Sequence, residues 1–192
     1  MNLFDLISPI YEKVLSGDEE AFKKLFKLGD FKITDRVLDL GGGSGRIAKF
    51  FVGKVQEIAV VDASKGMISQ CKKHQGVNCV LGKADNIPFG DCYFDKAIII
   101  DAFHHFQDQQ IASQEIRRVL KENGKVIIEE VNFGRFGNWL VEKLETILGA
   151  ESKILSPPSL VELFSKNQFK TKFLNKDRNA YYLIGEKSEP QS

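Results

Sequence analysis

A chain of 192 residues, 43% hydrophobic and 28% charged, is long enough to bury one substantial core and has the composition of an ordinary globular domain. A formal net charge of +1 supplies no global field for nucleic acid or an acidic membrane. No apolar run reaches the roughly 18 residues of a membrane span, and acids rather than a basic stretch occupy the N-terminus, so neither a span nor a leader is expected.

Residues 1–30 carry two helical patterns: Leu3, Leu6, Ile7 and Ile10, then Ala21, Phe22, Leu25 and Phe26. The second opens near Ser16-Gly17-Asp18, with acids suited to a helix N-terminus. A strand is expected at 36–40 and a helix at 45–53. Ile58–Val61 is a second strand ending in Asp62, followed by a short helix with Met67, Ile68 and Cys71. Val77–Leu81 reads as a third strand. Asp95–Ile100 is apolar enough for a central parallel strand covered on both faces. The next helix carries Ala112, Ile116, Val119 and Leu120, with a C-cap signal at Glu122-Asn123-Gly124. Val126–Val131 is the fifth strand. A helical insertion follows, with Phe136, Trp139, Leu140, Leu144, Ile147 and Leu148 on one face, then a helix opened by Ser156-Pro157-Pro158. Phe169–Leu174 and Ala180–Ile184 read as a closing hairpin, and the tail from Ser188 as disordered. The alternation predicts an α/β, Rossmann-like doubly wound sheet. It is mostly parallel with an antiparallel C-terminal hairpin strand, and has helices on both faces. One domain is expected over 1–192: an N-terminal helical part at 1–30, a core at 35–131, an insertion at 132–165 and C-terminal strands at 166–187. Cys71, Cys79 and Cys92 are odd in number and lack zinc spacing, so they read as reduced thiols in a cytoplasmic protein, with no metal site. The basic C-terminal run Lys166, Lys170, Lys172, Lys176 and Arg178 reads as a solvated face.

The chemistry is concentrated at Val37-Leu38-Asp39-Leu40-Gly41-Gly42-Gly43-Ser44-Gly45-Arg46. An apolar run ends in an acid and gives way to a glycine-rich turn, the opening of a nucleotide-binding α/β unit. The dinucleotide pattern G-x-G-x-x-G fails in both registers: from Gly41 the third position is Arg46, and from Gly42 the second is Ser44. The spacing that fits is D-x-G-x-G-x-G, on Asp39, Gly41, Gly43 and Gly45. Asp62 lies 21 positions after Gly41 at a strand end, where a carboxylate can accept both ribose hydroxyls of an adenosine.

This first motif resembles that of the class I S-adenosylmethionine-dependent methyltransferases. The resemblance continues through Asp62-Ala63-Ser64-Lys65-Gly66-Met67, through Gly82-Lys83-Ala84-Asp85-Asn86-Ile87-Pro88-Phe89, and through Asp91-Cys92-Tyr93-Phe94-Asp95. It implies S-adenosyl-L-methionine as cofactor and S-adenosyl-L-homocysteine as product. Asp39 and the loop would hold the methionine end, Asp62 the ribose, and Met67, Ala84 and Asp85 the adenine, with Ala63 and Asp101 also at the cofactor. Phe103-His104-His105-Phe106 resembles the segment of small-molecule methyltransferases, including the quinone-biosynthesis C-methyltransferases. It makes His104 and His105 candidate catalytic residues, at most one of them facing the pocket, with Asp101 nearby. The segment Phe4–Tyr11 resembles the family's lid, with Tyr11 closing on the cofactor. Neither an N-P-P-Y motif nor a Pro-Cys pair is present, so the expected partner is a small, partly apolar acceptor rather than nucleic acid or membrane. The sequence leaves open the acceptor, its attacking atom and the oligomeric state. Alternatives are a non-catalytic protein of this fold and an NAD-dependent oxidoreductase.

Overall fold

The computed structural model describes residues 18–131, 153–177 and 180–188. The lid with Tyr11, the insertion helix at 136–148 and the last four residues lie outside the described residues. Helix α1 (Asp18–Gly29) leads into β1 (Arg36–Leu40), a one-turn 3-10 helix (Ala48–Phe51), β2 (Glu57–Asp62), α2 (Lys65–Cys71) and β3 (Asn78–Leu81). Then come β4 (Phe94–Ile100), a 3-10 turn (Phe103–His105), α3 (Gln109–Val119), β5 (Leu120–Val131), α4 (Pro157–Lys166), β6 (Phe169–Asp177) and β7 (Ala180–Lys187).

The strands form one seven-stranded sheet in the order β3-β2-β1-β4-β5-β7-β6. Strands β1 to β5 run parallel, and β7 is antiparallel to both β5 and β6. The period-two alternation of each strand feeds two apolar layers. Leu38, Leu40, Ala97, Ile99, Val126 and Ile128 pack toward Ile116 and Val119 of α3 and Leu160 and Phe164 of α4. Val37, Ile58, Val60, Ile98 and Ile127 pack toward Phe22 and Leu25 of α1, Phe51, and Ile68 of α2. Chain order reverses direction between β1 and β4, and ligands of such sheets bind beyond the carboxyl ends of the strands at that point.

Three expectations change. The helix expected at 45–53 is a single 3-10 turn. Gly45 and Gly53 hold φ of +76° and +75°, which bounds the segment too tightly for a longer α-helix. Helix α3 ends at Val119 rather than at the Asn123-Gly124 signal, because Leu120 already pairs with Phe94 of β4. The left-handed residue of that signal is Asn123 (φ +60°), and it shapes a bulge in β5 instead of capping a helix. The cysteines are not all thiols: Cys71 and Cys79 form a disulfide with Cα atoms 6.0 Å apart, and only Cys92 is free. The connection folds the end of α2 back against β3, which brings together two cysteines whose spacing alone gave no sign of pairing. The thiol argument for a reducing compartment therefore falls. Closing a loop of this separation constrains the unfolded chain by roughly 2–3 kcal/mol. Urea unfolding with and without dithiothreitol should show a loss of that size; equal midpoints would contradict it. Among the described residues no helix is long and apolar enough to cross a membrane.

Candidate active site

A cavity of about 530 Å³ opens at the switch point. Its wall is built from strand ends. Asp39 and Leu40 close β1, Val61 and Asp62 close β2, and Ile100 closes β4, with Asp101 and Ala102 following. The glycine loop forms its floor, with Arg46 alongside.

The loop is held by its own neighbours. The Gly41 amide donates to the carbonyl of Val61 at 2.7 Å. Gly41 has φ +74°, and a Cβ there would lie 2.7 Å from that of Ala102, so the position excludes a side chain twice over. Gly42 is constrained by approach alone: a Cβ would fall 2.5 Å from the Asp39 carboxyl group. Asp39 is 2% exposed, and burial pushes its carboxyl up to about 7, opposed by Arg46 and reinforced by Asp62. Asp62 braces the loop as well as facing the cavity: Oδ2 accepts from the Gly43 amide at 3.0 Å and Oδ1 from the Ser64 amide at 2.8 Å. Ser64 in turn caps α2 by accepting from the Met67 amide at 3.1 Å, which seats Met67 on the cavity wall.

The far wall is Gly82–Asp85, with Ala84 and Asp85 both lining the cavity. The segment behind it is fixed from α3. Arg118 donates to the carbonyls of Ile87 and Phe89 at 3.0 and 2.9 Å while pairing with Glu115 and Asp91. Glu115 also accepts from the Ile87 amide at 2.8 Å. This brace was not legible as such, because Arg118 reads as one more solvent-facing helical charge.

The two histidines part company. His105 lines the cavity, and its imidazole is pushed down to about 4, by burial first and by His104 second. His104 is 6% exposed, does not line the cavity, and makes a 2.6 Å contact through Nδ1 with Glu130. His104 is thus not among the residues around this cavity; its ring meets the Glu130 carboxylate instead. Gly45 does not line the cavity either; a Cβ there would fall 3.1 Å from the Cys71 sulfur. The other sequence-named residues, Asp39, Gly41, Gly43, Asp62, Ala63, Met67, Ala84, Asp85 and Asp101, come together around one space. Phe106 of the Phe103–Phe106 segment joins them, as do Gln107 and Asp108, which no motif singles out. Among the described residues no cluster of His, Cys, Asp or Glu could hold a metal ion.

Residues 38–128 match a family model described as a methyltransferase domain. The chain is 36% identical over 123 residues to the uncharacterised methyltransferase YcgJ of Bacillus subtilis, covering 61% of this chain and 48% of that protein. It is 32% identical over 139 residues to a demethylmenaquinone methyltransferase of Thermotoga maritima, covering 68% of this chain and 61% of that one. The chain thus spans about half to three fifths of the length of these two relatives. Among solved structures, the crystal structure of YcgJ superposes with a TM-score of 0.77 at 22% identity, covering 90% of this chain and all of that one. A chain from the complex with the Haloferax volcanii Trm112 methyltransferase activator superposes at 0.84 and 17% identity, covering 98% and 99%. The structural likenesses speak to the fold.

Proposed function

We propose that this chain, a member of the class I S-adenosylmethionine-dependent methyltransferase family, transfers a methyl group from S-adenosylmethionine to a small, partly apolar acceptor. The observation that carries the reading is the convergence of Asp39, Asp62 and Asp85 with the glycine loop on one cavity at the switch point. The residues suit this cofactor. Asp62 offers a carboxylate at the end of β2 for the ribose hydroxyls, Met67 and Ala84 offer apolar contact for the adenine, and Asp85 offers an acceptor for its amino group. The buried Asp39 beneath Gly42, with the loop, would hold the methionine end. Nothing in the loop is shaped for a pyrophosphate, since Arg46 stands where the dinucleotide pattern needs its third glycine.

S-adenosylmethionine, when bound, supplies an electrophilic methyl group whose bond to sulfur breaks, with its electron pair left on sulfur, as the acceptor atom bonds to carbon. The protein's part is to hold the acceptor in line and keep water out. His105 and Phe106 stand at the end of β4 where that acceptor would lie. An imidazole held near 4 is a poor proton sink at neutral pH but a good hydrogen-bond partner. We therefore assign His105 to orienting the acceptor rather than to taking its proton outright. The Thermotoga relative's name favours a quinone-like ring as acceptor.

The test is turnover. Purified protein is given S-adenosylmethionine carrying a labelled methyl group and a panel of demethylated quinones, phenols and small amines. Label transferred to ring acceptors, and reduced about tenfold or more in His105→Ala, is the expected result. Transfer to charged acceptors alone would overturn the acceptor class. Tight binding of NAD in place of S-adenosylhomocysteine would overturn the cofactor, and binding without any turnover would favour a non-catalytic protein of this fold.

A further inference from the structure

Glu130 is a buried carboxylate, 2% exposed, near the end of β5. Both of its oxygens are committed to the turn that follows β4. Oε1 accepts from the Phe103 amide at 2.9 Å, and Oε2 meets Nδ1 of His104 at 2.6 Å. The same turn is fastened on its other side. The His104 carbonyl accepts from the Lys153 amide at 2.8 Å, and the Gln109 side chain donates to the carbonyls of Phe103 and Lys153 at 3.1 and 2.8 Å. The His104 and His105 rings lie 4.0 Å apart by centroid, and His105 alone of the two lines the cavity.

A buried carboxylate held against a buried imidazole is a poor way to gain stability, because desolvation consumes most of the attraction. Such a pair is better understood through what it orients. We propose that Glu130 is a positioning residue of the methyl-transfer site: it clamps the Phe103–His104 turn with both oxygens and draws the turn's positive charge to His104. His105 then meets the acceptor as a neutral imidazole. The assignment rests on the methyltransferase reading of the cavity. Among the described residues, the charged and titratable groups facing this pair include Tyr181, opposite Glu130 on β7, Lys153, whose amide meets the His104 carbonyl, and His105, whose ring lies beside that of His104. Tyr181 is held above its ordinary range by burial and then by the charge of Glu130.

The chain contains three histidines, His74, His104 and His105, so ring nitrogens can be followed individually. Protein labelled with ¹⁵N-histidine is titrated by NMR, alone and with S-adenosylhomocysteine. In the wild type, His104 should carry both ring protons at neutral pH while His105 stays neutral. In Glu130→Gln, His104 should lose a proton at neutral pH and the His105 midpoint should rise by about one pH unit, burial keeping it below the ordinary value. Should that variant fail to fold, His104→Gln removes the same charge while keeping a donor toward Glu130, and must raise His105 in the same direction. A His105 titration identical in wild type and variants, or a neutral His104 in the wild type, would overturn the clamp. Failure of the wild type to bind S-adenosylhomocysteine would instead sink the methyltransferase reading, and the ring titrations would still decide the clamp on their own.

Discussion

Replacing Asp62 by alanine should weaken S-adenosylhomocysteine binding by about 30- to 1000-fold, the equivalent of roughly 2–4 kcal/mol for charge-assisted hydrogen bonds. The size follows from two roles of one carboxylate. Asp62 faces the cavity at the end of β2, where it can accept from vicinal hydroxyls. It also accepts from the amides of Gly43 and Ser64, which fixes the glycine loop to the start of the segment leading into α2. Alanine removes the ligand contact and loosens the loop together. Asp62→Asn separates the two, since its amide keeps one oxygen for a backbone donor but lacks the charge. It should lose only about 10- to 30-fold. Calorimetric titration of the three proteins with S-adenosylhomocysteine, and with NAD as a control, gives the answer. Wild-type affinity in Asp62→Ala would remove Asp62 from the site.

That Asp62 could be found at all reflects how local its signal is. A strand of four apolar residues, an acid at its end, and a fixed distance from the glycine loop are all readable along the chain, and β2 and α2 follow the reading closely. The same holds for Asp39 and for Ser156, which caps α4 ahead of its two prolines. What could not be read depends on contacts across the fold. Glu129 and Glu130 look alike at a strand end, yet only Glu130 turns toward His104, which precedes it by 26 residues. Which of two adjacent acids is buried is decided by strand register, not by sequence neighbours. Leu120 leaves helical conformation because Phe94 offers it a partner, a preference no helical pattern can express. Gly42 falls on an unassigned position of the D-x-G-x-G-x-G pattern; its constraint is the carboxyl group of Asp39 beneath it.

Asp39→Asn should stabilise the cofactor-free protein at alkaline pH while weakening its hold on S-adenosylhomocysteine. The carboxyl is pushed from 3.8 to about 7, chiefly by burial, so the folded state keeps a proton that the unfolded chain gives up. The sign follows directly. Below about pH 4 both states are protonated and the group costs nothing. As pH rises from 4 toward 7 the unfolded state ionises first and the folded state loses ground, by a ceiling of about 4 kcal/mol that is reached once pH passes 7. Asparagine keeps the shape under Gly42 and has no proton to lose. Urea unfolding of both proteins from pH 4.5 to 8.5 should therefore give a stability difference that grows in favour of the variant up to about pH 7 and then levels. Titrating groups not coupled to Asp39 cancel in that difference. Ligand affinity should run the other way, increasing with pH through 7 in the wild type and staying flat in the variant, because an ionised Asp39 is the form that attracts an ammonium group. A stability difference independent of pH would mean that Asp39 is ionised at little cost in the folded protein, and its burial would then have no bearing on cofactor capture. A rising difference with unchanged affinity would leave the acid costly but idle. Only the two trends together mark Asp39 as a group whose folding cost is sustained for the ligand it meets.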